Sequence, residues 1–179
     1  MYQTAVRTLS TIALAALAWG ASATPALASP FSYQFASTIS ATSISGLNVG
    51  DSAVITVVLD NGGTSTISQT WTAANLQSVT FNFNNGGLLT TFSSPWGGVL
   101  SITNGNFATN AAGTLTSVMT NWQDTAVGTD YTTNGAAPFF WFLNGQNAVY
   151  ADGVGVVSIN NVNDMLTAAN WRLAPAAVP

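Results

Sequence analysis

Six Asn-Gly or Asp-Gly pairs divide this chain: Asn61-Gly62, Asn85-Gly86, Asn104-Gly105, Asn134-Gly135, Asn144-Gly145 and Asp152-Gly153. Asn or Asp followed by Gly tolerates positive φ at both central positions of a turn, which a tight hairpin demands. Between the pairs, apolar and polar residues alternate. In Leu76–Phe83, Val79, Phe81 and Phe83 fall on one face and Ser78, Thr80 and Asn82 on the other, the period of a strand with one wet side. Ser52–Leu59 is apolar on both faces and rich in β-branched residues, which predicts a central strand covered twice. The same reading marks strands at Tyr33–Ile39, Ser65–Trp71, Leu88–Phe92, Val99–Thr103, Thr114–Thr120, Phe139–Leu143, Gly153–Ile159 and Asn170–Ala174. Helical turns are expected only at Ala73–Leu76 and Asn163–Ala168. Many short strands joined in this way predict an all-β fold, an antiparallel β-sandwich or jelly roll. One echo is present: Thr72-Ala73-Ala74-Asn75-Leu76 returns as Thr167-Ala168-Ala169-Asn170-Trp171, which in a chain this rich in Thr, Ala and Asn reads as chance or else marks two equivalent turns entering strands at opposite ends of a sandwich.

The start of the sequence reads as an address. Met1–Thr8 is a short polar segment with Arg7, Leu9–Trp19 is an apolar run, and Ala26-Leu27-Ala28 is a small-x-small cleavage pattern. The run is shorter than the roughly 20 residues that span a bilayer. The expectation is a signal peptide over 1–28 cleaved after Ala28, a single domain over 29–174 and a tail over 175–179. The product is then exported, to the cell surface or the extracellular space, with the periplasm as the alternative. No later stretch has the length of a membrane anchor.

Composition removes most chemistry. The 179 residues hold six acidic side chains, all Asp, and two basic ones, Arg7 and Arg172; Glu, Lys, His and Cys are absent. Charged residues make up 4%, against about 25% in an ordinary domain. Without Cys or His there is no thiolate, no imidazole base and no structural zinc site. Without Lys there is no Schiff base, and one Arg beyond residue 28 cannot track a phosphate backbone, so nucleic acid is not an expected partner. A domain of this size buries enough surface to need no disulfide.

An Asp-dependent hydrolase is the weakest reading, since it needs two carboxylates with divergent environments. Asp51-Ser52-Ala53 faintly resembles an aspartic-protease loop, but no second copy occurs and an Asp turning the chain into a strand explains it. Asp60 and Asp152 sit beside glycine turns and have the same explanation. No cofactor is expected. Calcium, which takes oxygen ligands, is the metal candidate, through the oxygen-rich stretches Asn160–Asp164 and Asp124–Asp130, although neither has the spacing of a calcium loop.

Aromatic residues are the strongest remaining signal. Trp71, Trp96, Trp122 and Trp141 are candidate carbohydrate-binding residues, because an exposed ring stacks on sugar C–H groups while neighbouring amides bind hydroxyls. The alternative is that they, with Trp171, fill the core. Phe139-Phe140-Trp141-Phe142-Leu143 poses the choice most sharply, as a strand either covered on both sides or left with an aromatic stripe exposed.

An exported, Cys-free, Thr/Asn/Gly-rich β domain ending Trp171-Arg172-Leu173-Ala174-Pro175-Ala176-Ala177-Val178-Pro179 resembles the ectodomains of bacterial PEP-CTERM proteins of the exosortase system. Gln69–Leu76, preceding an aromatic strand, has the style of that group. In that family such a domain leads into a Val-Pro-Glu-Pro signal, a hydrophobic helix and an Arg cluster; this sequence shows Val178-Pro179 and not the elements that follow, which implies either a truncated gene or a released product. The resemblance implies a non-enzymatic surface or extracellular matrix protein tied to exopolysaccharide and biofilm, with extracellular polysaccharide or further copies of itself as partners.

Overall fold

The computed structural model describes residues 29–93, 99–125, 139–142, 148–152 and 155–174, with strand pairing alone over 99–104, 121–125 and 139–142. The expected signal peptide, the 175–179 tail, Trp96, Asp130 and the pairs Asn134-Gly135 and Asn144-Gly145 lie outside the described residues.

The fold is all-β. The strands are β1 (Phe31–Thr42), β2 (Ser52–Leu59), β3 (Thr70–Trp71), β4 (Leu76–Phe83), β5 (Leu88–Ser93), β6 (Val99–Asn104) and β7 (Phe107–Thr109). They continue as β8 (Leu115–Ser117), β9 (Thr120–Thr125), β10 (Phe139–Phe142), β11 (Ala148–Ala151), β12 (Val156–Ile159) and β13 (Trp171–Leu173). A large antiparallel sheet runs in the order β5-β4-β2-β1-β12-β11-β10-β9-β6 with β13 also on β1, and a small sheet in the order β3-β7-β8.

One strand and one ribbon turn the corners. Phe31–Thr38 of β1 pairs with β2, and from Ile39 the same strand pairs with β12, with a register shift between Ile39 and Ala41. Such a bulge bends the strand and lets one chain segment serve both halves of a curled sheet. The second corner is a long bent ribbon. β6 pairs with β9 and β7 pairs with β8, so 99–109 and 115–125 form one hairpin that passes from the large sheet into the small one.

Register builds the core in rows. Tyr33, Val57, Val79 and Phe92 lie side by side across four strands, and so do Phe35, Ile55, Phe81 and Thr90. The curl brings Tyr150 of β11 onto this face, with ring centroids 5.8 Å from Phe81 and 5.9 Å from Phe83. The small sheet closes the other end: Trp71 packs 5.6 Å from Phe31 and Phe107 packs 5.5 Å from Trp171, ring to ring.

Strands β2 and β4 have the expected bounds, and Val79, Phe81 and Phe83 are fully buried as the alternation requires. The double coverage expected of β2 is corrected. Ala53, Ile55, Val57 and Leu59 are buried, while Val54, Thr56 and Val58 are half-buried on a face whose neighbours are Gln34, Thr80 and Ser78. The expected strand Ser65–Trp71 shrinks to Thr70–Trp71, because the preceding residues fold into turns around Ser68 at φ +51°. These turns are held by the buried Thr109 hydroxyl, which accepts from Gln69 N at 2.9 Å and donates to the Thr66 carbonyl.

Of the Asn-Gly pairs, only Asn85-Gly86 closes a hairpin between adjacent strands in the described residues, with Asn84, Asn85 and Gly86 all at positive φ. Asn61-Gly62 and Asn104-Gly105 instead carry the chain from one sheet to the other. The Thr-Ala-Ala-Asn echo is structural: Ala73–Asn75 and Ala168–Asn170 each form one 3-10 turn. The turns close through Asn75 N to Thr72 O (2.9 Å) and Asn170 N to Thr167 O (3.0 Å). Each delivers a buried residue, Leu76 or Trp171, to the start of a strand.

Tyr150 gives the core a pH sense. Burial pushes its hydroxyl up to about 12; a Thr90 hydrogen bond opposes the rise and the Asp152 carboxylate, accepting from Tyr150 Oη at 2.8 Å, adds to it. The folded state therefore favours the protonated phenol. Its contribution is complete below the ordinary tyrosine value of 10 and is lost as pH rises from 10 towards 12. Burial raises Tyr33 as well. The expected result is a urea midpoint that falls across this interval, with a shallower fall in Tyr150→Phe. An equal fall in the variant would place the alkaline weakness elsewhere.

Candidate functional site

The Trp candidates separate. Trp71 is fully buried, in the small sheet opposite Phe107 and against Phe31 and Tyr33, which removes it from any stacking surface. Trp171 is also core, its Nε1 donating to Met165 O at 2.8 Å. Trp122 lies in β9 opposite Phe142, and Trp141 in β10 opposite Gln123. Trp96 lies outside the described residues. Of the Trp residues, Trp71 and Trp171 thus belong to the core, while the side chains of Trp122 and Trp141 lie outside the described residues.

The carboxylates with described side chains are dispersed over separate loops. Asp51 accepts from Asn48 N at 2.7 Å and Asp60 from Gly62 N at 2.8 Å. Asp152 accepts from Gly155 N at 2.9 Å and from the Tyr150 hydroxyl. These are turn ties, the role expected of Asp beside glycine. Asp164 lies in the helical turn Val162–Leu166, and Asp124 in β9 opposite Phe140 and Leu100. Among the described residues, no three acidic side chains gather to hold a metal ion. The calcium candidate Asn160–Asp164 is a turn through Asn161 at φ +53°, with one carboxylate, and most of Asp124–Asp130 lies outside the described residues.

Two features of the surface do gather polar groups. The first is the outer face of the large sheet. Register aligns Arg172, Gln34, Thr56, Thr80 and Thr91 across five strands, with Ser32, Val58, Ser78 and Ser93 in the next row. Gln34 Nε2 donates to Thr56 Oγ1 at 3.2 Å, and the Thr80 and Thr91 hydroxyls meet at 2.9 Å. Side chains from opposed strands stand close enough to form such ladders.

The second is a groove of about 590 Å³ at the margin of that face, where β1 leaves β13 to join β12. Its polar walls include Gln34, Asn160, Asn161, Asp164, Asn170 and Arg172, with the hydroxyls of Ser37 and Thr38 beside them. The backbone there is fixed: Asn160 N donates to Thr38 O at 2.9 Å and Ser37 Oγ to Asn160 O at 2.7 Å. Asn160 Nδ2 is committed to Thr38 Oγ1 (2.9 Å) and Asn170 Nδ2 to Asp164 O (3.0 Å), which leaves both amide oxygens as acceptors. No aromatic ring is exposed in it, since Phe35 contributes to the wall while being buried.

Sequence reading did not find this groove. Its walls come from 34–38 and 160–172, and only the fold of β1 brings them together. The one available signal was the isolation of Arg172, the sole basic residue after Arg7.

Comparison with protein-family models, curated proteins and solved structures gave no match.

Proposed function

We propose that this chain is an exported, non-enzymatic surface or extracellular matrix protein that works by physical association with polysaccharide. The observation that carries the reading is the outer face of the large sheet, a five-strand array in which hydroxyls and amides interleave with Ala36, Val54, Val58 and Leu89, and in which Arg172 is the only charge among the described residues. Such a surface offers hydrogen bonds to a hydrated polymer without the salt sensitivity of an ionic one. The dispersal of the described carboxylates onto turn-holding duties supports a role without catalysis. The resemblance to PEP-CTERM ectodomains and the signal-like start support export. No helix among the described residues is long and apolar enough to cross a membrane.

Self-association is the second reading, favoured by β5. This six-residue strand ends the large sheet, contains neither Pro nor charge, and exposes Leu89 at 62%. Edge strands without charged or Pro gatekeepers pair with other chains. Sedimentation velocity with and without exopolysaccharide separates the readings. Mass that rises only with polysaccharide supports matrix association, and mass that rises with protein concentration alone supports edge pairing, which Leu89→Lys then abolishes. A monomer under both conditions contradicts both.

A further inference from the structure

We infer that the groove between β1 and β13 is a binding site for a neutral glycan chain, a proposal that rests on the polysaccharide reading above and assigns it a place and a ligand class. The groove's volume of about 590 Å³ falls within the roughly 300–1,000 Å³ of small-ligand sites, room for a short run of sugar units.

Its chemistry selects the ligand. Asp164 and Arg172 both line it, and among the described residues neither side chain forms a hydrogen bond or ion pair with a neighbour. A carboxylate that accepts and a guanidinium that donates, both unspent, suit adjacent hydroxyls, each of which does both. Around them the amide oxygens of Asn160 and Asn170 add fixed acceptors. The Ser37 hydroxyl in the wall already donates to Asn160 O, and these acceptors suit the hydroxyl donors that a sugar supplies.

Neutrality follows from charge. Opposite charges share the groove, and the chain beyond residue 28 carries six Asp against Arg172, so an anionic polymer meets Asp164 locally and a negative protein overall. Arg172 also belongs to the row Gln34-Thr56-Thr80-Thr91. A chain seated in the groove therefore continues onto the hydroxyl array without meeting another charge.

The test is titration calorimetry of the whole protein, and of Arg172→Gln and Asp164→Asn, against galactomannan, a neutral glucan and polygalacturonate. Both side chains are exposed, so both variants keep the fold, which circular dichroism checks. The expected result is saturable binding of a neutral polymer, weakened about tenfold or more by each variant, the scale of a lost charge-assisted hydrogen bond. Preference for polygalacturonate, lost with Arg172 alone and strengthened in Asp164→Asn, overturns the neutral assignment. Neutral binding untouched by either variant overturns the site and leaves the polysaccharide reading standing. Failure to bind any of the three polymers or the native exopolysaccharide overturns both.

Discussion

Replacing Trp71 with alanine is expected to lower the free energy of unfolding by about 3–5 kcal/mol, the cost of emptying a large aromatic site in a packed core. Trp71 is fully buried, its ring lies 5.6 Å from Phe31 and 6.0 Å from Tyr33, and it anchors β3 opposite Phe107. Removing it takes one of the ring contacts that join the small sheet to the large one, leaving Phe107 against Tyr33 and Trp171. Most domains have only about 5–15 kcal/mol to lose, so the variant sits near the edge of folding. Trp71→Phe should lose less, since it keeps a ring and deletes an indole N–H that finds no hydrogen bond among the described residues. The measurement is the urea midpoint at unchanged slope. A variant of wild-type stability that has lost glycan binding would return Trp71 to the surface and contradict the packing described.

Gly105→Val carries the second large effect, a loss of about 2–4 kcal/mol from left-handed strain and overpacking together. Gly105 sits in the bend of the long ribbon, between the β6–β9 and β7–β8 pairings, at φ +77°. A Cβ there would lie 2.7 Å from the Val118 carbonyl oxygen and 3.5 Å from Met119 Cα. Those are backbone atoms, which cannot rotate aside. Gly62→Ala is the control: φ is +81° but nothing lies within 4 Å, so only the conformational cost of about 1–2 kcal/mol remains. Equal losses at the two positions would show that the close approach of the ribbon's strands does not matter to the corner.

What the sequence made legible was whatever is local. Leu76–Phe83 announces its strand and its buried face because a period of two needs no partner to be seen, and the Thr-Ala-Ala-Asn echo proved to be a pair of matching turns because a 3-10 turn is set by four adjacent residues. Strands β7, β9 and β11 were not visible. Phe107–Thr109 is three residues long, Thr120–Thr125 is mostly polar, and Ala148–Ala151 is buried at three consecutive positions, so none shows alternation. The two-sided coverage expected of β2 failed because apolar Val54 and Val58 are tolerated half-buried among polar neighbours on an open face. Asn-Gly marked where the chain bends but not whether it returns to its neighbour, since positive φ serves a corner between sheets as well as a hairpin.

The site was the least legible part. Residues 34 and 172 are adjacent only because β13 lies on β1, and residue 160 joins them only because β1 passes from β13 to β12 at Ile39. A pattern of Trp residues suggested a stacking surface, whereas the two with described side chains are spent on holding the sheets together. The remaining polar surface has hydroxyls and amides in register and very little charge, and the account of function rests on it.

The most direct test of that account is co-sedimentation of the protein with its native exopolysaccharide at low and high salt. Binding through hydroxyls and amides predicts saturable association whose affinity is nearly the same at both, because there are few charges for salt to screen. No association, or association that collapses as salt rises, would contradict it.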